Sequence, residues 1–140
     1  MKSILFVCVH NSGRSQMAEA FFNQLAKGEA QAISAGTQPA EEVNPVVVEA
    51  MREVGIDISS HKPRALTMDM VEKASRMITM GCGADAQAVC PASFIETEDW
   101  ALADPHDKPI EAVRKIRDEV KKRVMRLIEE IAPEAENAGD

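Results

Sequence analysis

The sequence predicts an α/β fold: an open sheet of parallel strands with helices packed on its faces. Three observations predict it. Residues Ile4 to Val9 form an unbroken apolar run, the mark of a strand covered on both sides rather than on one. Strand-like and helix-like segments then alternate in the order strand, helix, strand, helix, helix, strand, strand, helix, which suits right-handed crossovers between parallel strands. The 140 residues amount to one domain.

Each element has its own signal. The first strand ends where His10-Asn11-Ser12-Gly13 breaks the apolar run. Ser15 to Lys27 carries Met17, Ala18, Ala20, Phe21, Phe22 and Leu25 at helical spacing, with Gly28 as its stop. Ala30 to Ala35 is a second strand, ended by Gly36. Asn44 caps and Pro45 opens the next helix, which runs past Val48 and Met51 to a stop at Gly55. Leu66 to Lys73 reads as a helix, Arg76 to Met80 as the third strand and Ser93 to Glu96 as the fourth. Ile110, Val113, Ile116, Val120, Val124, Leu127 and Ile131 recur every three or four residues, giving a long helix that Pro133 is expected to end. A single domain over residues 1–133 is therefore expected, followed by an acidic flexible tail over 134–140.

Charge and cysteine usage exclude several function classes. The formal charge is −7, from 16 Lys plus Arg against 23 Asp plus Glu. That disfavours a broad attraction to nucleic acid or to an anionic membrane, but not a small anion held by backbone amides and one arginine. The first apolar run is too short for a signal peptide, and no stretch approaches the ~20 apolar residues of a membrane span. A cytoplasmic monomer is expected. The three cysteines are too few, and odd in number, for a disulfide scaffold. They form no close Cys-x2-Cys pair and no cluster with histidine, which argues against structural zinc. No bound metal or cofactor is expected.

The segment Cys8-Val9-His10-Asn11-Ser12-Gly13-Arg14-Ser15 carries the strongest chemical signal. It places a cysteine at the end of a buried strand and an arginine where a helix begins. In open α/β sheets, ligands bind at the carboxyl ends of the strands. A short glycine-containing loop there turns successive N–H groups toward one point, and the helix N-terminus adds to the field. The result is a cradle for a tetrahedral oxyanion that also favours the thiolate of Cys8. Arg14 supplies a planar fork for two anion oxygens. The substrate-binding set is thus Val9, His10, Asn11, Ser12, Gly13, Arg14 and Ser15. Further on, Asp104 precedes Pro105 in a turn ahead of the long helix. Attack on an oxyanion expels an oxygen, which leaves badly unless such a group protonates it.

This loop, extended through Gln16-Met17-Ala18-Glu19-Ala20, resembles the low-molecular-weight tyrosine phosphatase family, and specifically its thioredoxin-coupled arsenate reductase branch. So do Ser34-Ala35-Gly36-Thr37, Val43-Asn44-Pro45 and Gly55-Ile56-Asp57-Ile58-Ser59-Ser60-His61. The resemblance spans residues 3 to about 131, nearly the whole chain. It implies an open four-stranded parallel sheet flanked by helices, with the phosphate-binding loop after the first strand. It also implies that Asp104 is the proton donor.

Within the family, Cys82 and Cys90 separate a reductase from a phosphatase. The resemblance implies a relay: Cys8 attacks arsenate, Cys82 attacks Cys8, and Cys90 attacks Cys82. The resulting Cys82–Cys90 disulfide is reduced by thioredoxin, and ultimately by NADPH through thioredoxin reductase. Phosphate and sulfate are expected to compete with arsenate. Relatives hold the two cysteines about seven residues apart; here the separation is eight. If Ala84 to Val89 were helical, the two Cα atoms would stand about 12 Å apart, against roughly 4.4 to 6.8 Å in a disulfide. Pairing therefore requires that segment to bend or unwind. The alternative is a phosphatase that uses Cys8, Arg14 and Asp104 alone. The absence of tyrosine and the single tryptophan disfavour it, because an aryl phosphate needs an aromatic wall. Some members of the reductase branch hold potassium near the loop. The matching positions here are Asn11, Glu19 and Ser34, but the fourth is Arg64, whose charge would repel a cation.

Overall fold

The computed structural model describes residues 2–26, 30–80, 96–100, 102–103 and 105–138. Among these residues, four strands, β1 (Lys2–Cys8), β2 (Ala30–Gly36), β3 (Arg76–Thr79) and β4 (Glu96–Asp99), form one sheet in the order β2-β1-β3-β4. All three pairings are parallel, with Cys8 opposite Gly36 and Val7 opposite Thr79. Among the described residues, four helices accompany it: α1 (Arg14–Leu25), α2 (Pro45–Arg52), α3 (Met68–Lys73) and α4 (Ile110–Ala138). Order of elements and direction of strands are those expected from the sequence.

The apolar run explains why β1 lies inside the sheet. Ile4, Leu5, Phe6 and Val7 are each 0% exposed, so both faces of the strand are covered. Phe6 meets the ring of Phe22 on α1 at 6.1 Å and that of Trp100 at 5.7 Å. The α4 stripe Val113, Ile116, Val120, Val124, Leu127 and Ile131 is buried, each large side chain contributing about 1.5–3 kcal/mol of burial free energy. Among the described residues of this helix, Glu119 pairs with Arg123 at i,i+4, while Asp118 bonds its neighbour Arg117. Among the described residues, no helix is long and apolar enough to cross a membrane.

Several boundaries differ from the sequence reading. Helix α3 starts at Met68 rather than Leu66, because the Leu66 N–H is committed to Gly36 O and the Thr67 side chain caps Met70. Strand β3 ends at Thr79, although Met80 still donates to Val7 O. The fourth strand is Glu96–Asp99 rather than 93–96; Ser93 to Ile95 lie outside the described residues. Pro133 does not end the last helix, which runs on to Ala138 through the first part of the expected tail. A proline removes one backbone donor, and the six turns preceding it leave the helix able to continue for one more.

An ion-pair clamp joins α2 to α4. Arg114 holds Glu53 through three bonds of 2.6–3.2 Å, and Arg117 adds another at 2.9 Å while also donating to Ala50 O. The hydrogen bonds from Arg114, aided by Arg117, lower the Glu53 carboxyl from 4.5 to about 2. A depressed folded-state value means that stability is present above pH 4.5 and lost as the pH falls through about 2. In denaturant titrations, wild type is expected to exceed Glu53→Gln at pH 6, with the margin closing toward pH 2. A margin independent of pH would exclude the clamp as its source.

Candidate active site

Residues 9–13 connect β1 to α1 at the carboxyl end of the sheet. The segment after β2 braces this loop. Thr37 N–H donates to Cys8 O, Gln38 N–H to Val9 O, Ala40 N–H to His10 O and Asn44 N–H to Ser12 O, at 2.8–3.3 Å. In a trans peptide the C=O and the following N–H point to opposite sides. Four carbonyls drawn toward residues 37–44 therefore turn the N–H groups of residues 9, 10, 11 and 13 the other way. One of these, Asn11 N–H, reaches Cys8 Sγ at 3.2 Å. The close approach of the two segments requires Gly36, where a Cβ would stand 2.6 Å from Val9 O.

Cys8 is a free thiol, 2% exposed, whose sulfur has two hydrogen-bond partners. The second is Ser15 Oγ at 2.8 Å, a bond in which the thiol can donate but a thiolate can only accept. Asn11 Oδ1 accepts from the Arg64 backbone N–H at 2.8 Å, which fixes the Asn11 amide orientation. Asn11 Nδ2 then donates to Ser15 Oγ at 2.7 Å, so the serine hydroxyl hydrogen is available to a thiolate at Cys8. Asn11 itself sits at φ 51°, a left-handed conformation that asparagine tolerates better than most residues. Arg14, 6% exposed, opens α1 and donates through NH1 to Leu102 O at 3.1 Å. The structure thus brings Cys8, Asn11 and Ser15 together at the end of β1, with Arg14 at the start of α1. Cys82, Cys90 and Asp104 lie outside the described residues.

Sequence reading assigned no role to Gln16 or His61. Gln16 Nε2 lies 3.1 Å from both Asn11 O and Asn11 Oδ1, and its Oε1 accepts from His61 Nδ1 at 3.1 Å. The pair therefore supports Asn11 from behind. No local signal marks it, because the two residues are 45 positions apart.

The positions matching a potassium site do not fit the ion. Arg64 NH1 lies 3.2 Å from Glu19 Oε1, and Ser34 Oγ faces the same oxygen at 3.4 Å. His61 Nδ1 stands 3.6 Å from Glu19 Oε2. The buried carboxylate already has a positive partner in the guanidinium. Exchanging potassium for sodium at constant ionic strength is expected to leave turnover unchanged; a strong stimulation by potassium would contradict this arrangement.

The model of the low molecular weight phosphotyrosine protein phosphatases matches residues 3–137. The chain belongs to that family. Among the relatives in it, arsenate reductase 2 of Staphylococcus epidermidis is 37% identical over 120 residues, covering 86% of this chain and 91% of its own. The thioredoxin-dependent arsenate reductase of Corynebacterium glutamicum superimposes with a TM-score of 0.82 at 34% identity, covering 96% of this chain and 63% of that one. The family likeness extends to phosphatases: an arginine phosphatase of Geobacillus stearothermophilus gives a TM-score of 0.86 at 28% identity, covering 96% and 95% of the two chains.

Proposed function

We propose that this protein reduces arsenate to arsenite, with Cys8 as nucleophile and the backbone of residues 9–15 as the oxyanion cradle. The observation that carries the reading is the pair of groups able to donate to a Cys8 thiolate, Asn11 N–H and the Ser15 hydroxyl, inside a loop whose amides face one side. Such donors favour the anionic nucleophile, and Arg14 at the end of the loop balances the charge of the bound oxyanion.

The chemistry runs in three exchanges. The Cys8 thiolate forms a bond to arsenic, and an oxygen leaves as water after taking a proton from Asp104. The Cys82 thiolate then attacks the Cys8 sulfur. The sulfur–arsenic bond breaks, its electron pair stays on arsenic, and arsenite departs from a Cys8–Cys82 disulfide. Cys90 next attacks Cys82, which frees the Cys8 thiolate and leaves a Cys82–Cys90 disulfide. Two electrons from two thiols thus reduce one arsenic. A dithiol of the thioredoxin class returns those electrons. The names of the arsenate reductase relatives support this substrate, and the Corynebacterium glutamicum enzyme supports this reductant.

The test is arsenate-dependent NADPH oxidation in the presence of thioredoxin and thioredoxin reductase, with aryl phosphate hydrolysis measured alongside. Arsenate turnover lost in Cys8→Ala, Cys82→Ser and Cys90→Ser is the expected result. Efficient phosphate hydrolysis that needs Cys8 but neither of the others, with no arsenate turnover, would leave a phosphatase instead.

A further inference from the structure

The turn that precedes α4 is fastened to the nucleophile loop at three places. Arg14 NH1 holds Leu102 O at 3.1 Å. Pro105 is buried against Gly13, where a Cβ would meet its ring Cγ at 2.6 Å. The ring of His106 then faces that of His10 at 6.2 Å, with 44° between their planes. That separation lies within the ~4.5–7 Å at which rings pair favourably. The fastened residues are Leu102, Pro105 and His106.

The local backbone is shaped to present His106. Lys108 N–H closes a turn onto Pro105 O at 3.2 Å, with Asp107 at φ 58°. The Asp107 carboxylate lies 3.2 Å from His106 Nε2 on the side chain's far end. Both imidazoles are exposed, His106 at 68%, so burial alone does not account for where they sit. Neither has a place in the sulfur chemistry derived above.

We propose that His10 and His106 are positioning residues: a clasp of two rings that holds Pro105 and His106 on the nucleophile loop and so sets the reach of the proton donor that precedes them in the chain. This rests on the reading of Asp104 as that donor. Because the clasp works by ring contact, its shape matters more than its charge. A group that touches the oxyanion would change binding, whereas a group that acts through the donor changes the chemical step.

The experiment is a double-mutant cycle in the arsenate assay, on the full chain. His106→Ala and His10→Ala are each expected to lower kcat about tenfold with KM within about twofold of wild type. His106→Phe, which keeps a ring opposite His10, is expected to restore kcat. In an Asp104→Asn background, His106→Ala should cost nothing further. Three results would overturn the clasp: a KM rise shared by both backgrounds, an additive loss of kcat in the double variant, or no rescue by phenylalanine. An Asp104→Asn enzyme with wild-type kcat is a different outcome; it removes the donor reading itself and with it the clasp's purpose.

Discussion

Cys8→Ser is expected to lose arsenate turnover by about 10⁴-fold or more while keeping the fold and the capacity to bind an oxyanion. The choice of serine follows from the two donors on the sulfur. Alanine would leave Asn11 N–H and the Ser15 hydroxyl without an acceptor, at about 1–3 kcal/mol for each buried group. Serine keeps an acceptor for both but is a far poorer nucleophile. Thermal melting should therefore place Cys8→Ser above Cys8→Ala, although both are inactive. Titration calorimetry with inorganic phosphate should still show binding to the serine variant. Residual turnover above about one per cent of wild type would remove Cys8 from the nucleophile's role.

Arg14→Lys is expected to lower kcat/KM for arsenate by about 10²- to 10³-fold, nearly as much as Arg14→Ala. Charge is conserved in the lysine variant, but the fork is not. The guanidinium is fixed by NH1 on Leu102 O and so presents its donors in a set plane. A lysine ammonium has three N–H donors, but they radiate from a single nitrogen and cannot reproduce the planar fork that spans the Leu102 carbonyl and two anion oxygens. The inhibition constant for phosphate should weaken in parallel, since ground state and transition state share the oxyanion. A lysine variant within about threefold of wild type would mean that charge alone suffices at this position.

Much of this was legible in the residues. The unbroken apolar run at Ile4 to Val9 marks a covered strand, and the six buried positions of α4 follow from spacing alone. Cys8 and Arg14 stand out because a strand end, a glycine-containing loop and a helix start fall within eight residues. Other features depend on contacts across the chain. Gly36 reads as a strand terminator, yet the structure needs it because Val9 O approaches where a Cβ would be. His61 and Gln16 have no periodicity or spacing that joins them. The start of α3 shifts because Leu66 pairs with Gly36, a long-range bond that local propensity does not register. Pro133 is misleading for the opposite reason: a strong local breaker is overridden inside a long helix.

The four carbonyls tied to residues 37–44 also bear on when the cradle is assembled. Fixing a backbone residue costs about 1–2 kcal/mol of conformational entropy. The loop meets that cost during folding, through bonds made by the protein to itself. On the proposed reading, an arriving oxyanion finds the amides already aimed and need not order them from its own binding free energy. Capture then depends on diffusion and desolvation rather than on loop closure. Arsenate and phosphate offer those amides the same tetrahedral arrangement of oxygens and similar charge, so on the proposed reading discrimination between arsenic and phosphorus falls largely to the redox step that only arsenic can complete.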